Sequence, residues 1–285
     1  MTIRAVTSRD GTRIGWVSYG SGDPVLLVHG GGADHTRLEP FGSLLSDRFS
    51  VHVVDRRGRG LSGDGDGYRI EMEYDDIAAV AEALGTGVTV FGHSYGGPIA
   101  IGAATRTEAI GRVVAYEGWP AVHGSPPSND PGNLPDRVQA LVDSGDRDGA
   151  VAVLLTEVVG VEDEQLHWMR AQPMWTSRMA AAHTLPREIR QEPTITLSAA
   201  SLQSIRAPVL FVIGGLNEAS LRPDVERLSS IMLDGRTAVL PGQGHLAMDT
   251  APALLADAII QFVDSPLRSS TTEPRPQLPA TSPRQ

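Results

Sequence analysis

Short, largely apolar runs recur along the chain at Pro24–Val28, Val51–Val54, Val88–Phe91, Val113–Tyr116, Val209–Ile213 and Thr237–Leu240. Runs of this length read as strands, whereas recurrence at three and four residues marks one face of a helix. Ile77, Val80, Ala81 and Leu84 follow the helical spacing and stop at Gly85. Leu255, Ile259, Phe262 and Val263 follow it again, behind Thr250 as an expected N-cap and Pro252 in the first turn. Residues 3–7 and 12–19 predict a leading hairpin around Asp10-Gly11. Strands alternating with helices predict an α/β fold, a mostly parallel sheet covered by helices on both faces.

The alternation breaks after Tyr116. Residues 119–133 are rich in Pro, Gly, Ser and Asn, and Leu134 to Arg190 read as several helices before a strand returns at Val209. The expected division is therefore a core of 1–119 and 206–264, a helical cap at 120–205, and a disordered Ser-, Thr- and Pro-rich tail at 265–285. Within the cap, Trp168, Met169, Met174, Trp175 and Met179 are candidates to line an apolar pocket, with Trp175 first as a substrate contact.

Composition narrows the chemistry. A length of 285 residues with 41% hydrophobic content suits one large domain with an insertion. A net charge of -10 argues against a broad nucleic-acid surface and towards a small neutral or apolar molecule as partner. No apolar stretch is long enough to cross a bilayer, so no membrane partner is expected. The opening residues lack the order of a signal peptide and there is no cysteine, which makes a cytoplasmic protein the expectation. Asp64 and Asp66 lack the rest of a calcium loop, and no zinc-like His/Glu spacing occurs, so neither metal nor cofactor is expected.

Gly92-His93-Ser94-Tyr95-Gly96 follows an apolar strand and precedes a run of small residues suited to a helix. That is the setting of a G-x-S-x-G nucleophile elbow, with Ser94 as nucleophile. His245, in Leu240-Pro241-Gly242-Gln243-Gly244-His245, follows a late strand on the same sheet edge and is the candidate base. His29-Gly30-Gly31-Gly32 leaves an earlier strand, so the Gly31 and Tyr95 N–H groups are candidates for an oxyanion hole. His29 and His93 are read as structural.

Together "VLLVHGGG", "DRRGRGLSG", "GHSYGG" and "PGQGH" resemble the alpha/beta-hydrolase superfamily from about residue 3 to about 264. The resemblance implies an alpha/beta-hydrolase fold. It leaves open esterases, lactonases, thioesterases, lyases, cyclases and other chemistries. It also implies an acid a few residues after the 209–213 strand, where this chain instead has Asn217 followed by Glu218. Glu117, ending the strand before the insertion, is similar to an alternative acid position in some members and is preferred to Glu218. Dehalogenase and epoxide-hydrolase chemistry is disfavoured, because those members carry Asp at the position of Ser94. The expected activity is cofactor-free hydrolysis of an ester, lactone or thioester of a small hydrophobic substrate through an acyl-enzyme. The rivals are a non-hydrolytic lyase or cyclase and a catalytically silent ligand-binding module.

Overall fold

The computed structural model describes residues 1–124 and 131–266. Its strands are β1 (Thr2–Thr7), β2 (Arg13–Gly20), β3 (Asp23–Val28), β4 (Phe49–Val54), β5 (Val88–His93), β6 (Ile110–Tyr116), β7 (Ala121–Val122), β8 (Thr196–Leu197), β9 (Val209–Gly214) and β10 (Gly235–Leu240). Eight of them form one sheet in the order β1-β2-β4-β3-β5-β6-β9-β10, and β7 pairs with β8 in a separate ribbon. The β1–β2 and β2–β4 pairs are antiparallel; from β4 to β10 neighbours run parallel. The expected hairpin and all the expected strands are therefore present.

The central strands β3, β4, β5 and β9 bury both faces, which is why each contains a continuous apolar run, whereas the edge strand β1 is largely exposed. Leu26, Val28 and Val90 point into one core, with Ile77 and Ile99 from helices Ile70–Leu84 and Gly96–Ala103. Val25, Leu27 and Phe91 point into the other, with Phe41, Leu255 and Ile259. The helix seen as 77–84 in the sequence begins seven residues earlier, at Ile70. Its first turns bury two carboxylates: Glu73 receives Arg56 and Asp76 receives Arg57, each in a two-pronged ion pair. Charged residues on an inward face interrupt the apolar stripe, so periodicity alone starts the helix late. The last helix is Pro252–Asp264, capped by Ala251 rather than Thr250, whose hydroxyl donates to Gln243 Oε1.

Between β6 and β9 the described chain is mainly helical, with helices at Leu134–Asp143, Arg147–Val153, Asp163–Arg170, Met174–Ala181 and Leu185–Gln191. They share an apolar cluster of their own, built from Val138, Leu155, Leu166, Trp175 and Leu185 among others. Among the described residues, no helix is long and apolar enough to cross a membrane. The tail expected at 265–285 lies outside the described residues beyond Pro266.

Candidate active site

Parallel pairing brings the carboxyl ends of β3, β5, β6, β9 and β10 to one edge of the sheet. Val28 lies beside Gly92, His93 beside Tyr116, and Leu240 beside Gly214. The candidate site residues lie on the loops that follow these strands.

Ser94 leaves β5 in the left-handed region, at φ 52°. Its N–H donates to Tyr116 O at 2.9 Å and its carbonyl accepts from Gly97 N–H at 2.8 Å, so the turn is fixed at both ends. The turn closes only on glycines. A Cβ on Gly92 would stand 2.1 Å from Gly96 O, and one on Gly118 would stand 1.9 Å from Ser94 O. Among the described residues the Ser94 hydroxyl has no hydrogen-bond partner, while Ser94 and His245 share the wall of one cavity.

Geometry pairs His245 with Glu117. His245 Nδ1–H donates to Glu117 Oε2 at 2.9 Å. Because a carboxylate oxygen accepts there, the His245 proton sits on Nδ1 and the Nε2 lone pair is free to take another. Glu117 is itself held in the left-handed region, at φ 44°. Gly214 N–H donates to its Oε1 at 2.8 Å, and the Asn217 amide donates to Oε1 at 3.1 Å and Oε2 at 3.0 Å. Asn217, the apparent gap in the sequence, is thus a donor that positions the carboxylate on the neighbouring strand end. Glu218 is not the partner of His245: it opens helix Glu218–Ile231, turns to the surface and pairs with Arg222 one turn on.

The loop carrying His245 is pinned twice more. Tyr116 Oη donates to Gly244 O and accepts from Ala247 N–H at 3.2 Å. His93 Nε2–H donates to the His245 carbonyl at 2.9 Å, with the two imidazole rings 4.7 Å apart. Burial, and next the facing His245, hold His93 well below the ordinary histidine range, so it serves as a neutral donor. His29 is neutral for a similar reason, burial first and then Arg59 and Arg56; its ring bonds Gly30 O and Arg56 N–H and ties the glycine loop down.

The cavity over Ser94 has a volume of about 70 Å³ and lies between the sheet edge and the inserted helices. Gly31 and Tyr95, the candidate oxyanion donors, are among the residues that line it. The Tyr95 ring is fixed by Tyr68 Oη at 3.0 Å and by the Arg56 guanidinium 4.6 Å from its centroid. Leu154, Leu155, Leu185 and Ile189 supply an apolar wall. Trp175 does not reach this cavity. It packs inside the cluster of the inserted helices, where Nε1–H donates to Asp148 at 2.8 Å, which corrects the expectation of a substrate contact. The cavity instead holds charged residues, Arg37, Arg178 and Glu188. Glu188 Oε1 accepts from Arg56 and Arg59, both at 2.6 Å, while its buried Oε2 faces Gly31 without a partner.

Asp34, His35 and Asp55 are grouped closely enough to suggest a metal site, but their atoms are already engaged. Asp55 accepts from the His35 ring, His35 N–H at 2.7 Å and Leu61 N–H at 2.6 Å, while Asp34 accepts from Thr36. Asp55 thus anchors the loop that follows β4, taking Leu61 N–H on its carboxylate and the Ser62 hydroxyl on its carbonyl.

Residues 25–258 match the family model described as "Alpha/beta hydrolase family". The chain belongs to the alpha/beta hydrolase family. A solved alpha/beta hydrolase from Sphaerobacter thermophilus is 35% identical, with a TM-score of 0.77 over 91% of this chain and 99% of that one. Two relatives of known activity align along most of their length. A 2-(acetamidomethylene)succinate hydrolase of Mesorhizobium japonicum is 26% identical over 86% of this chain and 90% of its own. An N-formylmaleamate deformylase of Pseudomonas putida is 26% identical over 91% and 96% respectively. The protein is a hydrolase enzyme of this family, which removes the silent binding module from consideration.

Several functional features of this hydrolase escape a reading of the sequence. The Asn217 contact depends on two loops meeting across β6 and β9, and Arg178 belongs to a helix whose orientation no local pattern reveals. His93 had one usable signal: it adjoins the elbow at the end of a wholly buried strand, where an imidazole requires a specific partner.

Proposed function

We propose that Ser94, His245 and Glu117 form a catalytic triad that hydrolyses a small ester, lactone or thioester through an acyl-enzyme. The observation that carries this reading is the 2.9 Å bond from His245 Nδ1 to Glu117 Oε2 on the sheet edge that bears the serine elbow. His245 Nε2 takes the Ser94 hydroxyl proton as Oγ attacks the carbonyl carbon. The oxygen that becomes negative is held by the Gly31 and Tyr95 N–H groups. Collapse breaks the bond to the leaving group, which departs with the proton returned by His245. Water then gives its proton to His245, attacks the acyl carbon and releases acid and free Ser94. Glu117 stays a hydrogen-bond acceptor throughout, and Asn217 and Gly214 keep it in place.

In this reading residues 120–205 are a cap over a core of 1–119 and 206–264. The described helices of that cap supply the roof of the cavity through Leu154, Leu155, Leu185 and Ile189. The names of the two relatives specify acyl-nitrogen compounds, a support for attack at an acyl carbon.

Stopped-flow hydrolysis of 4-nitrophenyl acetate tests the proposal. A burst of one nitrophenolate per chain is expected, lost in Ser94→Ala with a drop in turnover of roughly 10⁴-fold or more. Undiminished turnover in that variant contradicts an acyl-enzyme on Ser94.

A further inference from the structure

The expectation of a purely apolar substrate conflicts with the cavity wall. Arg178, on helix Met174–Ala181, is 5% exposed and lines the cavity together with Ser94 and His245. Its Nη1–H donates to Gly32 O at 3.1 Å. Among the described residues its Nε–H and Nη2–H have no acceptor, and no carboxylate stands within 4.0 Å of the guanidinium. A buried cation without a carboxylate partner is costly, because no counter-ion offsets its lost hydration.

The neighbouring charges do not supply the missing anion: among the described residues Glu192, which lines the same cavity, forms no ion pair with Arg178. Arg37 shares the cavity, but Asp249 holds it in a two-pronged pair at 2.7 and 2.6 Å. Asp34 is occupied by the Thr36 N–H and hydroxyl. Glu188 is bound by Arg56 and Arg59. Burial, and next the Arg37 charge, pull Arg178 down to about 10 against the weaker opposing pull of Asp249 and Asp34, so it remains a cation near neutrality.

We propose that Arg178 is the binding site for a carboxylate on the substrate, so that the molecule cleaved at Ser94 is an organic acid that carries its scissile acyl group and its carboxylate on one carbon skeleton. The inference rests on the hydrolase reading for the cleavage step, but not for the carboxylate site. Of the two arginines that line the cavity among the described residues, Arg178 is the one without a carboxylate partner, and its unbonded Nε–H and Nη2–H edge has the geometry of a two-pronged carboxylate contact. Leu154, Leu155 and Leu185 line the apolar side of the same cavity, against which the carbon skeleton would lie.

Calorimetric titration of the full chain with butyrate and with butyramide, its neutral isostere, tests the site without turnover. Butyrate is expected to bind at least roughly tenfold more tightly than the amide. Arg178→Gln abolishes that preference, and Arg178→Lys, which retains the charge without the fork, recovers part of it. Equal binding of acid and amide by the wild type, no binding of either, or an undiminished acid preference in Arg178→Gln overturns the proposal; the wild-type comparison decides even where a variant does not fold. Labelling of Ser94 by a neutral fluorophosphonate is followed in parallel. Labelling without acid preference rejects the carboxylate site alone, whereas acid preference without labelling supports that site and rejects the hydrolase mechanism.

Discussion

Ser94 at φ 52° and Glu117 at φ 44° are the two non-glycine residues with positive φ among the described residues, and both belong to the proposed triad. Left-handed backbone costs an ordinary L residue roughly 1–2 kcal/mol, a cost the surrounding contacts must offset. Ser94→Gly is therefore expected to raise stability by about 0.5–1 kcal/mol in urea unfolding while removing activity; a less stable variant contradicts strain at the elbow. The acid is tested at the same scale. Glu117→Gln is expected to lower kcat by roughly 10³–10⁴-fold, because an amide facing Nδ1 no longer enforces the required tautomer. Glu218→Gln, at a surface pair with Arg222, is expected to change kcat less than about twofold. Ser94, His245 and Glu117 were legible in the sequence because each follows the end of a strand, directly for Ser94 and Glu117 and across a short glycine-containing loop for His245. The choice between Glu117 and Glu218 was not fixed there, since both follow strands that end on the same edge. Arg178 was illegible because its meaning lies in what it fails to meet, and that depends on a helix packed against a loop far away in sequence.

Glycines and buried ion pairs set the tolerances between elements. Gly118, following β6, lies so close to the elbow that a methyl group would enter the Ser94 carbonyl, with backbone on both sides of the contact. Gly118→Ala is expected to destabilise by about 2–4 kcal/mol, read as a lower urea midpoint, and to slow labelling of Ser94 in the folded fraction. An unaffected midpoint contradicts the packing described. Helix Ile70–Leu84 is attached by charge as well as by apolar contact, and Glu73→Gln is expected to cost about 3 kcal/mol by leaving Arg56 short of an anion in a dry interior. Strands were the most legible elements, since burial on both faces writes itself as an uninterrupted apolar run. That helix was legible only from Ile77, because Glu73 and Asp76 look like surface residues until Arg56 and Arg57 are seen to meet them.

Across the whole molecule the buried titratable groups fix how stability responds to acid. His29, His52 and His93 are all held below the ordinary histidine value by burial, His52 at about 4 with a further push from Arg4. Between pH 6.5 and 4 the unfolded chain binds protons at these sites that the folded chain refuses. Stability present above pH 6.5 is therefore lost as the pH falls through that window. Burial alone would raise Glu73, but Arg56 outweighs it and brings the carboxyl down to about 2. Its contribution is complete above about 4.5 and is lost between there and about 2. Urea midpoints are expected to fall steadily from pH 7 to pH 4, with a shallower slope in His52→Gln; a flat profile contradicts neutral burial of these rings.

The triad is tested most directly by intact-mass spectrometry after brief exposure to a neutral fluorophosphonate, comparing the wild type with Ser94→Ala, Glu117→Gln and Glu218→Gln. One adduct per chain is expected in the wild type and in Glu218→Gln, none in Ser94→Ala, and much slower labelling in Glu117→Gln. A folded wild type that takes up no label, or a Glu218→Gln variant slowed more than Glu117→Gln, would contradict the assignment of Ser94, His245 and Glu117.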